Sequence, residues 1–275
     1  MKLFSGFRIP SSLGLPQRSR LLIHLAVPMA MIAVSLPVRG AEQTAAMDAS
    51  FAPRWTFTVN VYAWLSGING RLRTIPPLPA VDVNISFGTV LRNLDGALMG
   101  TAEARFDRYI FLTDLVASRI SPKKAIALPA GPDSVRIESG AVIGSGLLGY
   151  RFLETTNVSL DVLVGARLFA LNNTLSITGG PVSPSFGKSE RWVDGVAGIR
   201  GIATLSDRLF MTVIAIGGGL SSRYEWDLFG GLGYRFSDRW SAFAGYRALK
   251  VDYRRGDFIY NVLQHGPVLG AQFRF

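Results

Sequence analysis

Apolar and polar positions alternate along the chain from residue 54 onward, most regularly over residues 223–275. Trp226, Leu228, Gly230, Leu232, Tyr234 and Phe236 share one face at a period of two residues. Glu225, Asp227, Phe229, Gly231, Gly233 and Arg235 share the other. Ser237-Asp238-Arg239 reads as a short polar turn, after which Trp240, Ala242, Ala244 and Tyr246 return on the first face. Leu269, Ala271, Phe273 and Phe275 form the apolar face of a last strand, alternating with Gly270, Gln272 and Arg274. The polar face mixes glycine with charge, which suits a crowded lumen where ions need partners. The aromatics gather near the turn and at the C-terminal end, the position of a girdle at a membrane–water boundary.

Strand-like segments recur at 54–66, 96–107, 109–119, 135–151, 157–172, 190–205, 208–219, 223–236, 240–253 and 258–275. In the first of these, Trp55, Phe57, Val59, Val61 and Ala63 face lipid, with Thr56, Thr58, Asn60, Tyr62 and Trp64 facing in. The turns near 107–108, 152–156, 206–207 and 237–239 are short, and the loops at 120–134, 173–189 and 254–257 longer. That asymmetry predicts short periplasmic turns and longer external loops. Residues 67–95 read as a long first external loop with a β extension or an inward fold, and 88–94 as one or two helical turns. An extra strand pair there is the alternative. At about seven residues each, 69–75 and 81–87 fall short of the ~9–11 that a spanning strand needs. The expectation is an all-β, antiparallel transmembrane β-barrel of about ten strands, with eight and twelve as alternatives.

Residues 1–40 look like a secretory signal peptide: a basic stretch to Arg20, an apolar run over 21–38, and small residues for cleavage after Gly40. An uncleaved inner-membrane anchor is the alternative. Residues 41–53 read as a periplasmic lead-in and 54–275 as the barrel. Charged residues make up only 17% of the chain, below the ~25% usual in soluble domains. Yet beyond the N-terminus no run approaches the ~20 apolar residues of a membrane helix, so the lipid-facing surface must come from strands. The net charge is +10, but five of the 29 bases precede residue 41 without an acid, leaving 24 bases and 19 acids. No basic block extends beyond a pair, which argues against a nucleic-acid partner. The absence of cysteine excludes disulfides, thiolate metal sites and lipoprotein anchoring.

Strand parity collects inward charges: Glu103, Asp114, Asp161, Asp194 and Asp227, with Arg105, Arg167, Arg200, Arg235, Arg247 and Arg274. A charge on the lipid face costs ~2–4 kcal/mol near the midplane, so all should point inward. Inside, they should pair, because an unpaired buried charge is worse than none. Two readings follow: a structural salt-bridge lattice that plugs the barrel, or a narrow, anion-leaning solute path. His265 is the sole histidine after residue 40, which excludes His-pair metal motifs, and no cofactor-binding motif is present. It has no adjacent serine or acid, although a partner on another strand would allow a membrane-embedded hydrolase or lipid-modifying enzyme. A soluble periplasmic β-protein is a further alternative. The expected partners are outer-membrane lipid and lipopolysaccharide. Any small-solute ligand is undefined by the sequence.

The segments 93-NLDGALMGTAEARFDRYIFLTDL-115, 192-WVDGVAGIR-200, 230-GGLGYRFSDRWSAFAGYRALKVDY-253 and 266-GPVLGAQFRF-275 carry a family resemblance. Over most of 54–275 the chain resembles a group of uncharacterised proteobacterial outer-membrane β-barrel proteins. The resemblance implies a fold and a location, with no substrate or activity. Phe273 and Phe275 also look like the closing motif that the barrel-assembly machinery reads in such proteins.

Overall fold

The computed structural model describes residues 55–75, 79–121, 123–125, 134–178 and 185–275. The expected signal peptide and lead-in lie outside the described residues. The strands are β1 (Trp55–Trp64), β2 (Gly67–Arg73), β3 (Val81–Ile85), β4 (Leu94–Phe106), β5 (Tyr109–Ile120), β6 (Lys123–Ala125) and β7 (Ser134–Glu154). They continue as β8 (Val158–Thr178), β9 (Ser185–Thr204), β10 (Leu209–Gly218), β11 (Tyr224–Arg235), β12 (Trp240–Arg255) and β13 (Phe258–Arg274). The one helix among the described residues, α1, spans Phe87–Arg92.

Ten strands close the barrel in the order β1-β4-β5-β7-β8-β9-β10-β11-β12-β13, and β13 pairs back onto β1, from Thr58 opposite Arg274 to Trp64 opposite Val268. All pairings are antiparallel and nearly all link chain neighbours, because two-residue hairpins such as Asp107-Arg108 leave no room for another order. Asp107 there takes a left-handed conformation (φ 53°), which a short side chain that can bond its own backbone tolerates.

The segment 67–95 builds a side hairpin. β2 continues the line of β1 along β13 in unbroken register, Gly67 lying opposite His265 and Arg73 opposite Ile259. β3 folds back on β2, and α1 leads into β4. Ser86 caps α1, its hydroxyl accepting from the Thr89 amide. The extra-strand-pair alternative therefore does not apply to the wall. The loop expected at 254–257 is instead a tight turn at Gly256-Asp257, with Gly256 at φ 54°. Strand pairing also runs into the two expected long loops: β6 pairs with β7, and β8 and β9 stay paired out to Ser176 and Ser185. At 21, 21 and 20 residues, β7, β8 and β9 make one side of the wall tall.

The outer surface states the environment. Trp55, Phe57, Val61, Leu148, Val164, Ile199, Leu232 and Leu269 are all large, apolar and exposed. The apolar set ends abruptly where outward positions turn polar: Ala170 gives way to Asn172, Val193 to Arg191, Ala117 to Arg119 and Ala248 to Lys250. On β8 the outward apolar run is about eleven residues, which at ~3.3 Å each and ~45° of tilt rises about 26 Å, close to the ~25 Å lipid band of an outer-membrane barrel. Opposite that limit, aromatic pairs ring the short-turn end: Trp55 with Phe106, Tyr109 with Tyr150, Trp240 with Phe273, and Phe273 with Phe275. Short turns mark the periplasmic end. A charge in mid-band should be costly. Val164→Arg is expected to lose about 2–4 kcal/mol of stability, read by denaturant refolding into lipid vesicles.

Candidate functional site: the barrel interior

Cross-strand register turns all eleven predicted charges inward. Nine of them join contacts in the interior, in two ion networks and one loop clasp, and two stand apart.

The mid-barrel network centres on Arg247. Its Nε and Nη2 donate to the two oxygens of Asp227 at 3.0 and 2.7 Å, the bidentate fit of a guanidinium to a carboxylate. Nη2 also donates to Asp114 (2.7 Å) and Nη1 to the Tyr62 hydroxyl (2.9 Å), while that hydroxyl donates to Asp114 (2.6 Å). The Arg247 guanidinium lies 5.0 Å over the Trp64 ring. Arg167, 1% exposed, donates to Asp227 and to the Ser145 hydroxyl, both at 2.9 Å. Its remaining Nη1 lies 3.8 Å from Glu225.

The second network lies nearer the periplasmic end. Asp161, fully buried, stands opposite Arg151 on β7 and Arg200 on β9 in the ladder, and accepts from both at 2.8 and 2.9 Å. Arg200 reaches on across the lumen to Glu103, which also accepts from Arg105 at 2.9 Å. Glu103 is on β4 and Arg200 on β9, nearly opposite walls in the closed strand order.

Asp194 departs from the expected pairing. The ladder sets it opposite Arg167, yet it binds no arginine. Its Oδ1 accepts from the backbone amides of Leu220, Ser221 and Ser222 at 2.9, 2.9 and 2.7 Å. Its Oδ2 accepts from the Ser222 hydroxyl and from the Trp192 indole (3.1 Å). With Asp194 saturated by donors of the β10–β11 loop, Arg167 turns across the lumen to Asp227. Arg235 and Arg274 have no carboxylate within ion-pair distance among the described residues, against the expectation that every inward charge pairs. Arg235 instead stacks its guanidinium 4.9 Å over Phe210.

The interior also holds more apolar mass than the sequence suggested. Towards the outer end, Phe169, Trp192 and Tyr253 stack with ring centroids 4.8 and 4.0 Å apart. Leu249, Val251, Phe258 and Val262 pack around them. A second cluster, Ile110, Leu112, Leu147, Leu163, Val196 and Ile216, sits lower. Strand parity already assigned these positions inward; what could have found them is their size, since small residues would leave a ten-stranded lumen open. Arg151 and Glu190 are inward charges that sequence reasoning missed; Glu225 was placed on the polar face but left out of the set of inward charges. Arg151 lay at the margin of a predicted strand, and Glu190 accepts from Tyr253 above the lipid band.

His265 points outward. Its ring nitrogens lie 2.5 Å from the Tyr246 hydroxyl and 3.0 Å from Asn69, neither of which is an acid or a serine. Phe273 and Phe275 pack edge to face at the periplasmic rim, and the Phe275 amide donates to the Phe57 carbonyl at 2.9 Å.

No family model matches the chain, and no curated protein sequence matches it. Among solved structures it is similar to the outer membrane protease OmpT from Escherichia coli, with a TM-score of 0.55 and 10% identity, covering 82% of this chain and 98% of that one. It also matches the translocator domain of the autotransporter NalP from Neisseria meningitidis (TM-score 0.37, 12% identity, 83% and 90% covered). A third match is Ail from Yersinia pestis (0.34, 13% identity, 80% and 98% covered). At such identities only the fold of OmpT bears on this chain. A closed ten-stranded antiparallel barrel, apolar outside over the height of a bilayer and ionic within, is an integral β-barrel protein of the outer membrane.

Proposed function

We propose that the protein is a plugged, non-enzymatic barrel in the outer membrane of a Gram-negative bacterium. In this reading it is exported through a cleaved signal peptide over residues 1–40 and inserted by the barrel-assembly machinery, which reads Phe273 and Phe275. Its surroundings are outer-membrane lipid and lipopolysaccharide. The observation that carries the plugged reading is that ion pairs cross the lumen at two heights: Arg200 to Glu103 from wall to wall, and above it Arg247 to Asp114, with a hydrogen bond from Arg247 to the Tyr62 hydroxyl beside it. Each closes a cross-section that ten strands leave narrow. The contacts of His265, a tyrosine and an asparagine on the lipid side, support a non-enzymatic reading over a hydrolase.

Planar-bilayer recording tests the plug. The purified protein is expected to leave the membrane electrically silent. Stable unitary currents would overturn the reading. One observation favours a second reading in that event. Arg235 and Arg274 face the periplasmic end without carboxylate partners among the described residues, and the Nε of Arg105 there is buried without an acceptor. Currents through such a mouth should favour anions, and Arg235→Gln with Arg274→Gln should weaken that preference.

A further inference from the structure

The apolar outer half of the interior is not completely filled. A cavity of about 300 Å³ lies between the mid-barrel network and α1, lined by Trp64, Phe87, Val90, Met99, Val116 and Leu171 among others. This is the lower end of the range for small-molecule sites. It is also about twice the ~150 Å³ apolar cavity that takes up benzene, so it suits a ligand of roughly a dozen non-hydrogen atoms.

The polar groups around it are mostly committed. The Ser139 hydroxyl donates to Asn173 at 2.8 Å, the Gln264 amide donates to the Tyr260 hydroxyl at 2.8 Å, and Tyr62 donates to Asp114. The Ser66, Thr74 and Ser118 hydroxyls also line it, and the buried group left without a partner is Trp64. It is 4% exposed and lines the cavity, and its indole Nε1–H is buried with no protein acceptor. A buried indole N–H normally finds a partner, and leaving one unmet costs about 1–3 kcal/mol.

The barrel wall is interrupted at the same height. The β1–β4 ladder ends at Val61 opposite Gly100. Above it β4 pairs only with β5, and on the edge of β2 away from β13 pairing resumes only with β3, at Ile68 opposite Ile85. Ala97 faces inward by register, opposite Ser118, yet is exposed. It also lines the cavity, so the cavity opens at this seam. Leu91 of α1 and Leu98 of β4, 52% and 63% exposed, put apolar surface beside the opening. On the side of the mid-barrel network, Tyr62 and Trp64 line the cavity, and Arg247 packs on the Trp64 ring.

We propose that this chamber binds a small aliphatic molecule carrying one hydrogen-bond acceptor. The chain lies among the apolar side chains, and the acceptor oxygen takes the Trp64 Nε1–H. Access is through the β1–β4 seam beside Ala97. The site goes beyond the plugged-barrel reading and does not depend on it, since a ligand held above the ion network need not cross it.

Methyl decanoate, an ester of about the right size with one carbonyl acceptor, is the probe. The full-length barrel, labelled with ¹⁵N at its tryptophan indoles and held in lipid nanodiscs, is titrated with it. The Trp64 indole resonance, identified by its loss in Trp64→Phe, is expected to move downfield and saturate. Trp64→Phe should bind about ten-fold more weakly, the worth of one hydrogen bond. Ala97→Trp, at an exposed position, should abolish saturable binding by filling the opening. A Trp64 resonance that stays still throughout, or binding undiminished by Ala97→Trp, means that the ester merely partitions into the bilayer and overturns the proposal. Should Ala97→Trp fail to fold, the Trp64 resonance decides alone. Failure of the plugged reading shows separately, as unitary currents in the planar bilayer.

Discussion

Arg247→Met is expected to lower the stability of the folded barrel by about 3–5 kcal/mol, the cost of stripping one partner from a buried ion network. The side chain donates to Asp227, Asp114 and Tyr62 and packs on Trp64, so its loss touches β1, β5 and β11 together. Methionine fills much of the volume but leaves Asp114 with the Tyr62 hydroxyl alone, and Asp227 with Arg167 alone. The measurement is denaturant unfolding from lipid vesicles, with the heat-dependent gel shift as a simpler readout. A triple variant, Arg247→Met with Asp114→Asn and Asp227→Asn, should recover a large part of the loss, because the cost lies in stranded charge more than in the missing bonds. If the single variant proved as stable as the parent, the ion network would be an ornament of the lumen and the plug would rest on apolar packing.

Asp194→Ala should release the loop at residues 219–223. The carboxylate accepts three successive backbone amides, a serine hydroxyl and an indole, all of which lose their acceptor at once. A hydrogen bond to a charged group contributes about 1.5–3 kcal/mol, and the losses share one site, so a total of about 3–5 kcal/mol is expected. The local effect should exceed the global one. Arg223 lies at the end of this loop, and its amide donates to the Asp252 carbonyl at 2.8 Å. Trypsin added to intact cells should therefore cleave after Arg223 far faster in the variant than in the parent. Asp194→Asn keeps an acceptor for the amides and should fall between the two. Equal cleavage rates in all three would show that the loop is held by its hairpin alone.

How much of this could be read beforehand divides along one line. Which way each side chain points follows from the two-residue period of a strand, a local property, and the inward turn of Glu103, Asp114, Arg167 and Arg247 was legible from spacing alone. So were the ten wall strands and the short turns that join them, because antiparallel neighbours joined by tight hairpins allow one order. Harder to read was 67–95, where short apolar runs, prolines and a helical turn compete. Its β extension was visible, but not that β2 prolongs β1 along β13.

The chain's own pattern thus settled the strand period, the sidedness of each position and the lipid-facing exterior, since these depend only on neighbours in sequence. Partner choice inside the barrel was decided by closure. Arg200 meets Glu103 only because β9 and β4 come nearly face to face once β13 pairs with β1, and no spacing in the sequence encodes that distance. Asp194 is the sharpest case: its ladder neighbour is an arginine, and its actual donors come from a loop that folds inward about 26 residues later. A carboxylate takes whichever donors the finished cavity aims at it, and that aim is a property of the assembled barrel.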